Sequence, residues 1–442
     1  MVTILNYFII LLITFSIIII YKYNNNNKIE FNNLTKRSNN IIKFPKNIYD
    51  LQKIISFANS NKYKITIIGG GHSSYFMRSF PKFYTDKLII ICMKNFKGIK
   101  YLKNKKRYLL NAGVNAGEIK RFNKKNRKYY CLHGDCNKVG LGFFVNGGGN
   151  FSGINFGTRI TGFASDYIKK INYVNANGIY KSLDNVEDDE FKSLKILGGE
   201  FGIITSIEVE LIKKPIPVFY WLSINCEEKN IYELIEYIFT SKELNNNDIN
   251  MELAIPSFEK KLIIIFWYVP LKSTKRVFNK IIKNLNVNFK INKLETFVIN
   301  LKNIINNYDL SSGYKNMFDN KWSASCNVIP YNHSNLEIIK ELINITNKNN
   351  YMSILWLTRF DFQDKKYIYT EFNSSNIFDK NIEFIEKLTN VKDRKKYLNI
   401  PSPTTDIKEY FTENSVLSYN RVLEMKKKLD PNNIFTTRNP LL

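Results

Sequence analysis

Three glycine-rich segments, each joined to an apolar strand pattern, constrain this sequence more than any other feature. In the first, the apolar run 65–68 leads directly into Gly69, Gly70, Gly71, His72, Ser73 and Ser74. Glycines at a strand's exit leave backbone N–H groups open, where side chains would block the close approach of a phosphate. The alternative is a tight turn with an incidental histidine, because one glycine-rich loop is a weak signal.

The second and third segments repeat this arrangement. Residues 133–166 carry nine glycines, which a regular helix does not tolerate, and Cys136 lies among them. We therefore predict a long, irregular, backbone-exposed segment that wraps a ligand. The third segment, 197–205, leads into an alternating strand pattern at 206–211. Three such loops predict one elongated, phosphate-bearing cofactor. The spacing fits neither a GxGxxG dinucleotide fingerprint nor a Walker loop.

Composition narrows the class of protein. The length of 442 residues predicts two or three domains, and a hydrophobic fraction of 44% is ordinary for a globular protein. The net charge of +26 could indicate nucleic acid or an anionic membrane as a partner. Lysine is scattered along the whole chain, however, which favours a compositional bias and no nucleic-acid partner. The five cysteines form no CxxC pair or Cys/His cluster, so no metal site is predicted.

The N-terminus predicts a membrane segment. Residues 4–21 are uncharged and strongly apolar, a length at the lower limit for a bilayer span. A cleaved signal peptide is the alternative, but the run has neither a basic start nor a small-residue cleavage site. We predict a single-pass anchor at 1–23, followed by a polar tether at 24–41. Lys22, Lys28, Lys36 and Arg37 follow the span, which favours a cytosolic body.

The alternation of short strands and helices predicts an α+β or α/β domain in the first region, and α+β is the fold class expected for the whole chain. In the first region the predicted helices are 47–59 and 117–126, and the predicted strands are 64–68, 88–93 and 108–112. The middle region, 214–395, predicts an antiparallel sheet backed by helices. Its predicted strands are 218–224, 251–255, 261–269 and 354–362, and its predicted helices are 231–241, 271–285 and 336–347.

Taken together, these motifs resemble the FAD-linked oxidases of the vanillyl-alcohol-oxidase/PCMH type, most closely the berberine-bridge-enzyme-like and carbohydrate oxidase branch. The Gly-Gly-His-Ser loop of that family stands at 70–73. Its Gly-x-Cys-x-x-Val-Gly-x-Gly…Gly-Gly-Gly pattern stands at 134–149, and its Asp-Pro-x-Asn-x-Phe close at 430–435. The resemblance covers 42–213 and 395–442. It implies a two-part FAD-binding domain at 42–213 and 396–442, with a substrate domain at 214–395 inserted between them.

The resemblance also implies the cofactor and its site. FAD would be linked covalently through His72, with Cys136 as a second attachment. Val139 matches a position that helps to decide whether dioxygen reaches the reduced flavin. The residues implied to contact FAD are Gly69, Gly70, Gly71, His72, Ser73, Ser74, Cys136, Val139, Gly140, Gly142, Gly147, Gly148, Gly149, Gly199, Gly202, Ile203 and Asn414.

The chain departs from the family pattern where a catalytic base is expected. The Tyr-x-Asn-Tyr-x-Asp motif stands here as 397–402, with Ile400 and Ser402 in place of the second tyrosine and the aspartate. A base must then come from elsewhere in the substrate domain. Tyr369 and Glu371 are the candidates, with Arg359 and Asp361 as further possibilities, and the alternative for each is a strand-surface residue.

The implied function is hydride transfer from an alcohol or sugar-like substrate to flavin, with dioxygen as acceptor and hydrogen peroxide as product. One alternative is a flavin dehydrogenase that uses another electron acceptor. A second is a protein that keeps the flavin fold as a binding or structural module, which the missing tyrosine and aspartate leave open.

Overall fold

The computed structural model describes residues 41–72, 87–126, 128–134, 137–149, 152–154, 158–213, 218–225, 228–241, 249–257, 261–268, 283, 293–299, 323–349, 351, 353–362, 365–374, 380–397, 406–413, 415–437 and 440–442. They belong to one compact unit, residues 38–442. The predicted anchor, and all of the tether except Ile41, lie outside them. No helix in the described part of the chain is long and apolar enough to cross a membrane.

The described elements alternate as an α+β fold. The strands are β1 (Ile41–Lys43), β2 (Lys64–Ile68), β3 (Leu88–Cys92), β4 (Ile99–Leu102), β5 (Arg107–Asn111), β6 (Tyr129–Tyr130), β7 (Ile168–Val174), β8 (Tyr180–Leu183), β9 (Ile203–Glu210), β10 (Ile212–Lys213), β11 (Val218–Asn225), β12 (Ile249–Pro256), β13 (Lys261–Tyr268), β14 (Lys293–Ile299), β15 (Ser323–Pro330), β16 (Ser353–Phe362), β17 (Lys365–Ser374) and β18 (Lys395–Lys396). The helices are α1 (Ile48–Asn61), α2 (Ala116–Lys125), α3 (Gly142–Val145), α4 (Thr158–Thr161), α5 (Asp189–Leu197), α6 (Glu228–Thr240), α7 (His333–Lys348), α8 (Asn381–Leu388) and α9 (Tyr419–Leu429).

The first region builds two sheets that share one core. Strands β1, β3 and β2 pair in parallel, and the order β4-β5-β9-β7-β8 forms an antiparallel sheet. Helix α1 begins where the Asn47 side chain accepts a hydrogen bond from the Asp50 backbone N–H at 2.9 Å. Its buried face is Leu51, Ile55 and Ala58, the helical spacing that the sequence predicted.

The middle region builds one large antiparallel sheet, ordered β14-β11-β13-β12-β16-β17-β15-β18. Along β17 the side chains alternate between two environments, as the two-residue period of a strand requires. Ile368 and Phe372 pack in a core with residues of α6, α7 and α8. Tyr367 and Tyr369 pack on the opposite face, together with Phe163 of the first region. We call this second side the inner face of the sheet.

The end of the chain returns to the first region. Ile65 of β2 donates its backbone N–H to the Ile434 carbonyl at 2.6 Å, and Thr436 donates to the Ile65 carbonyl at 2.9 Å. Residues after α9 thereby pair with the strand that leads into the first glycine loop. The α+β prediction is confirmed, whereas the domain limits stay a prediction.

The second glycine-rich segment is less exposed than its sequence predicted. The glycine-rich segment 133–166 was predicted to be irregular and exposed, but it contains the short helices α3 and α4, and most of its described residues are buried or partly buried. Glycine density here serves close backbone packing rather than exposure. Of the predicted helix 271–285, Lys283 alone lies within the described residues.

Candidate active site

The first two glycine loops cross each other, backbone against backbone. A Cβ placed on Gly70 would lie 2.3 Å from the Lys138 carbonyl oxygen and 2.6 Å from the Gly140 nitrogen. A Cβ on Gly140 would lie 2.2 Å from the Gly70 nitrogen. The structure therefore brings together two segments that are about 70 residues apart in sequence, and both positions require glycine at the crossing.

The exit of β2 leaves space beside that crossing. A Cβ on Gly69 would meet its nearest neighbours, the Ala112 carbonyl oxygen and the Leu141 nitrogen, at 3.8 Å. Gly71 has φ +68°, a left-handed conformation that glycine adopts without strain, and it turns the chain toward the partly buried His72. Ser73, Ser74, Cys136 and Asn414 lie outside the described residues.

Glycines 147–149 of the second loop use their N–H groups within the protein. Gly147 donates to the Ser152 hydroxyl oxygen at 2.5 Å, Gly148 to the Ile196 carbonyl at 3.2 Å and Gly149 to the Tyr410 carbonyl at 3.2 Å. None of these three N–H groups is left to bind a phosphate. The contact with FAD predicted for these glycines would use their small size rather than their N–H donors.

The third loop divides into packed and open positions. A Cβ on Gly202 would lie 2.6 Å from the Tyr173 ring, so packing alone requires glycine there, and Ile203 beside it is fully buried. A Cβ on Gly199 would meet its nearest atom, the Thr437 methyl carbon, at 3.9 Å. Of the three FAD contacts predicted in this loop, Gly199 is therefore the one with space for a ligand beside it.

A buried lysine joins the third loop to the end of the chain. Lys426, on α9, is fully buried and donates to the Asp430 carboxylate at 2.8 Å, to the Glu200 carbonyl at 2.7 Å and to the Phe435 carbonyl at 2.8 Å. Its ammonium lies 3.5 Å from the Glu200 carboxylate, which also accepts from the Thr437 hydroxyl. We call Lys426, Asp430 and Glu200 the buried lysine cluster. Sequence analysis missed it, and the i,i+4 spacing of Lys426 and Asp430 was its one signal.

His133 is held neutral at the start of the second loop. Its Nδ1 lies 2.9 Å from the Gly134 carbonyl and its Nε2 lies 2.7 Å from the Tyr130 hydroxyl. The carbonyl can only accept, so Nδ1 carries the proton and Nε2 accepts from the tyrosine. Burial lowers the pKa of His133 to about 3, and the charge of Lys120 acts in the same direction.

This histidine predicts a pH-dependent loss of stability. In the unfolded chain its pKa is near 6.5, so unfolding takes up a proton between that value and the folded value of about 3. Stability is therefore lost as the pH falls through this window, by at most about 1.4 kcal/mol per pH unit. We expect His133→Gln to flatten the slope between pH 6.5 and 5, measured by urea unfolding. Parallel slopes in the variant and the natural protein would contradict this assignment.

The inner face of the large sheet carries the candidate base. The Tyr369 hydroxyl donates to the Glu371 carboxylate at 2.5 Å, and burial together with that carboxylate raises the pKa of Tyr369 well above its ordinary value. The Tyr397 ring packs on Tyr369 at 6.2 Å. The Tyr397 hydroxyl accepts from the N–H groups of Gly153 and Ile154 at 3.3 and 3.4 Å. This pair therefore lies where the second glycine loop meets the sheet.

The other two candidates on the sheet are placed differently. Arg359 pairs with Ile368, so it lies on the helix-covered face, where it is buried with its guanidinium 5.1 Å from the Tyr331 ring centre. Asp361 pairs with Lys366 in the same alternation. The strand register thus puts Arg359 on the face opposite Tyr369 and Glu371, which leaves the latter pair as the candidates beside the glycine loops.

The described loops fit a large cofactor. Gly69 and Gly199 offer open positions, and His72 stands at the exit of β2. The Oδ1 atom of Asn146, at the start of the Gly147–Gly149 run, is buried without a hydrogen-bond partner among the described residues. A buried acceptor of this kind suits a donor on a bound molecule. The described residues contain no cluster of metal-binding side chains.

A comparison with protein families defines the class. A family described as FAD binding domain matches residues 40–184, which include β2, both crossing loops and α2. Residues 40–184, about a third of the chain, are thus similar to an FAD-binding domain. Berberine bridge enzyme-like 6 of Arabidopsis thaliana is 26% identical over 173 residues, covering 38% of this chain and 30% of that protein. An FAD-linked oxidoreductase of Dictyostelium discoideum is 26% identical over 174 residues, covering 39% and 35%.

Solved structures match over most of the chain. Berberine bridge enzyme from Eschscholzia californica superposes with a TM-score of 0.73 at 17% identity, covering 90% of this chain and 89% of that one. A xylooligosaccharide oxidase from Myceliophthora thermophila, in complex with xylobiose, gives 0.72 at 16%, covering 91% and 92%. The resemblance deduced from the motifs is confirmed, and the fold is that of berberine bridge enzyme. The sequence matches span about a third of the curated relatives.

Proposed function

We propose that this protein is an FAD-dependent oxidoreductase that removes a hydride from an alcohol or sugar-like CH–OH group. The observation that carries this proposal is the Tyr369–Glu371 pair, joined at 2.5 Å on the inner face of the sheet. A carboxylate on that face can serve as the catalytic base that the altered Tyr-x-Asn-Tyr-x-Asp motif lacks. Flavin, when bound, supplies the hydride acceptor.

Each side chain of the pair has a distinct role in this proposal. Glu371 is half-buried and accepts the proton of the substrate hydroxyl, while Tyr369 is buried and holds the carboxylate through its own O–H donor. Trp356 pairs with Glu371 across the strands and is partly exposed, so it forms an apolar wall beside the carboxylate. Its ring offers a surface on which a sugar can stack.

The electron acceptor and the flavin linkage belong to the same proposal. Dioxygen is the proposed acceptor, giving hydrogen peroxide, and Val139 at the loop crossing is the residue that supports it. His72 and Cys136 are the proposed attachment points for FAD. A dehydrogenase with a different acceptor is the alternative. The xylobiose bound to the xylooligosaccharide oxidase favours a saccharide as the first substrate class to test.

Membrane attachment is a further part of the proposal. The uncharged apolar run 4–21 supports a single-pass anchor, and the lysines that follow it support a cytosolic body. Removal of this run as a signal peptide would instead send the protein into the secretory pathway. Carbonate extraction of membranes separates the two, because an anchored chain stays in the pellet.

The decisive experiment begins with the colour of the purified protein. We expect a yellow protein whose flavin stays with the polypeptide after acid precipitation. The His72→Ala/Cys136→Ala double variant should release the flavin, and each single variant shows how many links exist. Peroxide release is then measured over a panel of oligosaccharides and simple alcohols. Glu371→Gln should lower kcat/KM about a hundredfold, the typical size of a lost general base.

The outcomes separate the alternatives. Flavin reduction by a substrate without peroxide release would favour the dehydrogenase. A colourless protein, even after expression with added flavin, would overturn the enzyme proposal and favour a binding module. A Glu371→Gln variant with unchanged turnover would leave the flavin chemistry standing but remove Glu371 from it.

A further inference from the structure

We propose that the outer side of helix α1, together with the turn beside it, rests on an anionic lipid surface. The exposed side chains of this region are Tyr49, Lys53, Phe57, Ile179 and Tyr180, which we call the α1 surface. None of them belongs to the candidate active site. The contact rests in part on the proposed N-terminal anchor, because an anchored chain keeps the bilayer within reach of this surface.

Helix α1 carries aromatic side chains on its solvent side. Tyr49, Lys53 and Phe57 follow one another at a spacing of four residues, on the side opposite the buried face of the helix. Tyr49 is 63% exposed and Phe57 is 45% exposed. The Lys53 ammonium lies 4.2 Å from the centre of the Tyr49 ring. An outer side of aromatic and basic residues is typical of a helix that lies at a membrane interface.

The turn between β7 and β8 widens this surface. Gln52 of α1 donates from its side-chain amide to the Gly178 carbonyl at 2.8 Å, and Asn59 donates to the carbonyl two residues earlier at 2.8 Å. These two bonds fix the turn along one side of the helix. The next residues of the chain, Ile179 and Tyr180, are 54% and 43% exposed. Single exposed apolar residues are ordinary, but a group of them marks a site of interaction.

The charge around the α1 surface favours an anionic occupant. Residues 41–63 carry four lysines and one acidic residue. All four lysines are exposed: Lys43, Lys46, Lys53 and Lys62. The acidic residue, Asp50, is partly buried, and its carboxylate accepts from the Lys46 backbone N–H at 2.8 Å. Lysines close to a bilayer attract anionic headgroups, while aromatic rings enter the headgroup region between them.

The place of α1 in the chain favours a membrane over another protein. It is the first described helix, and β1 directly before it begins at Ile41. The predicted tether, 24–40, can span at most about 60 Å even when fully extended. The lysines after the apolar run predict a cytosolic body, and the cytosolic leaflet is the one that carries anionic lipids. An anionic bilayer is therefore always within reach of the lysines and aromatic rings of α1.

The first test is photo-crosslinking of the full-length protein in vesicles of phosphatidylcholine with about 30% phosphatidylserine. Phe57 is replaced by p-benzoylphenylalanine, and lipid adducts are measured by mass spectrometry. Phe384 on α8 is the matched control position, because it is 50% exposed but lies beside the exposed Glu383. We expect about fivefold more lipid adduct at position 57 than at position 384. Equal yields in two variants with the same urea midpoint would overturn the proposal.

The second test removes the positive charge. Lys53→Gln and Lys62→Gln together should lower the adduct yield at position 57 about fivefold or more on vesicles with phosphatidylserine. The yield on pure phosphatidylcholine should stay low and unchanged. Lys427→Gln, at an exposed lysine of α9, is the control and should have no effect. A yield that depends neither on these lysines nor on the lipid charge would overturn the anionic occupant.

The products separate the possible occupants and the two proposals. A crosslink at position 57 between two protein chains would show that a second copy covers the α1 surface, and would overturn the lipid contact. Carbonate extraction of the same vesicles reports on the anchor alone. A chain that stays in the pellet without a lipid adduct at position 57 keeps the anchor and loses the contact. A chain that carbonate releases, but that forms the adduct, loses the anchor and keeps the contact.

Discussion

Replacing Gly70 by alanine is expected to prevent the protein from folding around its flavin. The added methyl would lie 2.3 Å from the Lys138 carbonyl oxygen and 2.6 Å from the Gly140 nitrogen. Both are backbone atoms, so the clash cannot be relieved by rotating a side chain. Moving either loop would open the crossing that brings the first two glycine loops together. We expect a loss of about 4 kcal/mol or more in the free energy of unfolding, with no flavin retained.

Gly69→Ala is the matched control for this experiment. It changes the neighbouring residue of the same loop, but its methyl meets its nearest atoms at 3.8 Å. The stability of Gly69→Ala should stay within about 1 kcal/mol of the natural protein, while its flavin content falls if the cofactor fills that space. Urea unfolding and flavin absorbance read the two effects separately. A stable, fully loaded Gly70→Ala variant would show that the loops do not cross as described.

Gly140→Ala extends the test to the other side of the same contact. Its methyl would lie 2.2 Å from the Gly70 nitrogen, so Gly70→Ala and Gly140→Ala disrupt the same loop crossing. The double variant should therefore lose much less stability than the sum of the two single losses. Additive losses would place the two glycines in separate contacts.

The glycine loops were predictable because their signal is local. The joining of an apolar strand to glycines is visible in a few residues, and three repeats of it imply one large ligand. The use of each glycine was not predictable. Gly70 and Gly202 are required by contacts with Gly140 and Tyr173, which are distant in sequence. The internal hydrogen bonds of glycines 147–149 also depend on tertiary partners.

The sequence predicts that Tyr369 and Glu371 lie on the same side of a strand, but it does not predict which face of the sheet that side belongs to. Alternation along a strand puts Tyr369 and Glu371 on one side from sequence alone. Both sides of β17 carry large apolar or aromatic residues, so the pattern cannot tell which side the helices cover. The pairing of Arg359 with Ile368 decides this, because Ile368 lies in the helix-covered core.

The buried lysine cluster carries the second large expected effect. Lys426 donates its three N–H groups to Asp430, directly after α9, to the third glycine loop and to the chain end. Lys64 lies at the edge of the cluster and donates to the Asn433 carbonyl, and burial lowers the pKa of this second amine. Lys426 is therefore the one fully buried cation among the described residues that contacts both Glu200 and Asp430.

Lys426→Met keeps the length of the side chain and removes its charge. We expect a loss of about 3–5 kcal/mol in the free energy of unfolding, because two buried carboxylates are left without their ammonium. The chain end should loosen from β2, so limited proteolysis should cut within 430–442 before the rest of the protein. Flavin should be held less firmly, since Glu200 lies in the third glycine loop.

Lys427→Met is the matched control, because this neighbour on α9 is exposed and its loss should change stability by less than about 0.5 kcal/mol. Adding Asp430→Asn to Lys426→Met removes one of the uncompensated charges and should restore part of the loss. The restoration should be incomplete, because both Asp430 oxygens accept backbone N–H groups, from Ile434 at 2.8 Å and Phe435 at 2.9 Å. Equal unfolding free energies for Lys426→Met and Lys427→Met would mean that the cluster contributes nothing net, with the desolvation of its charges cancelling their attraction.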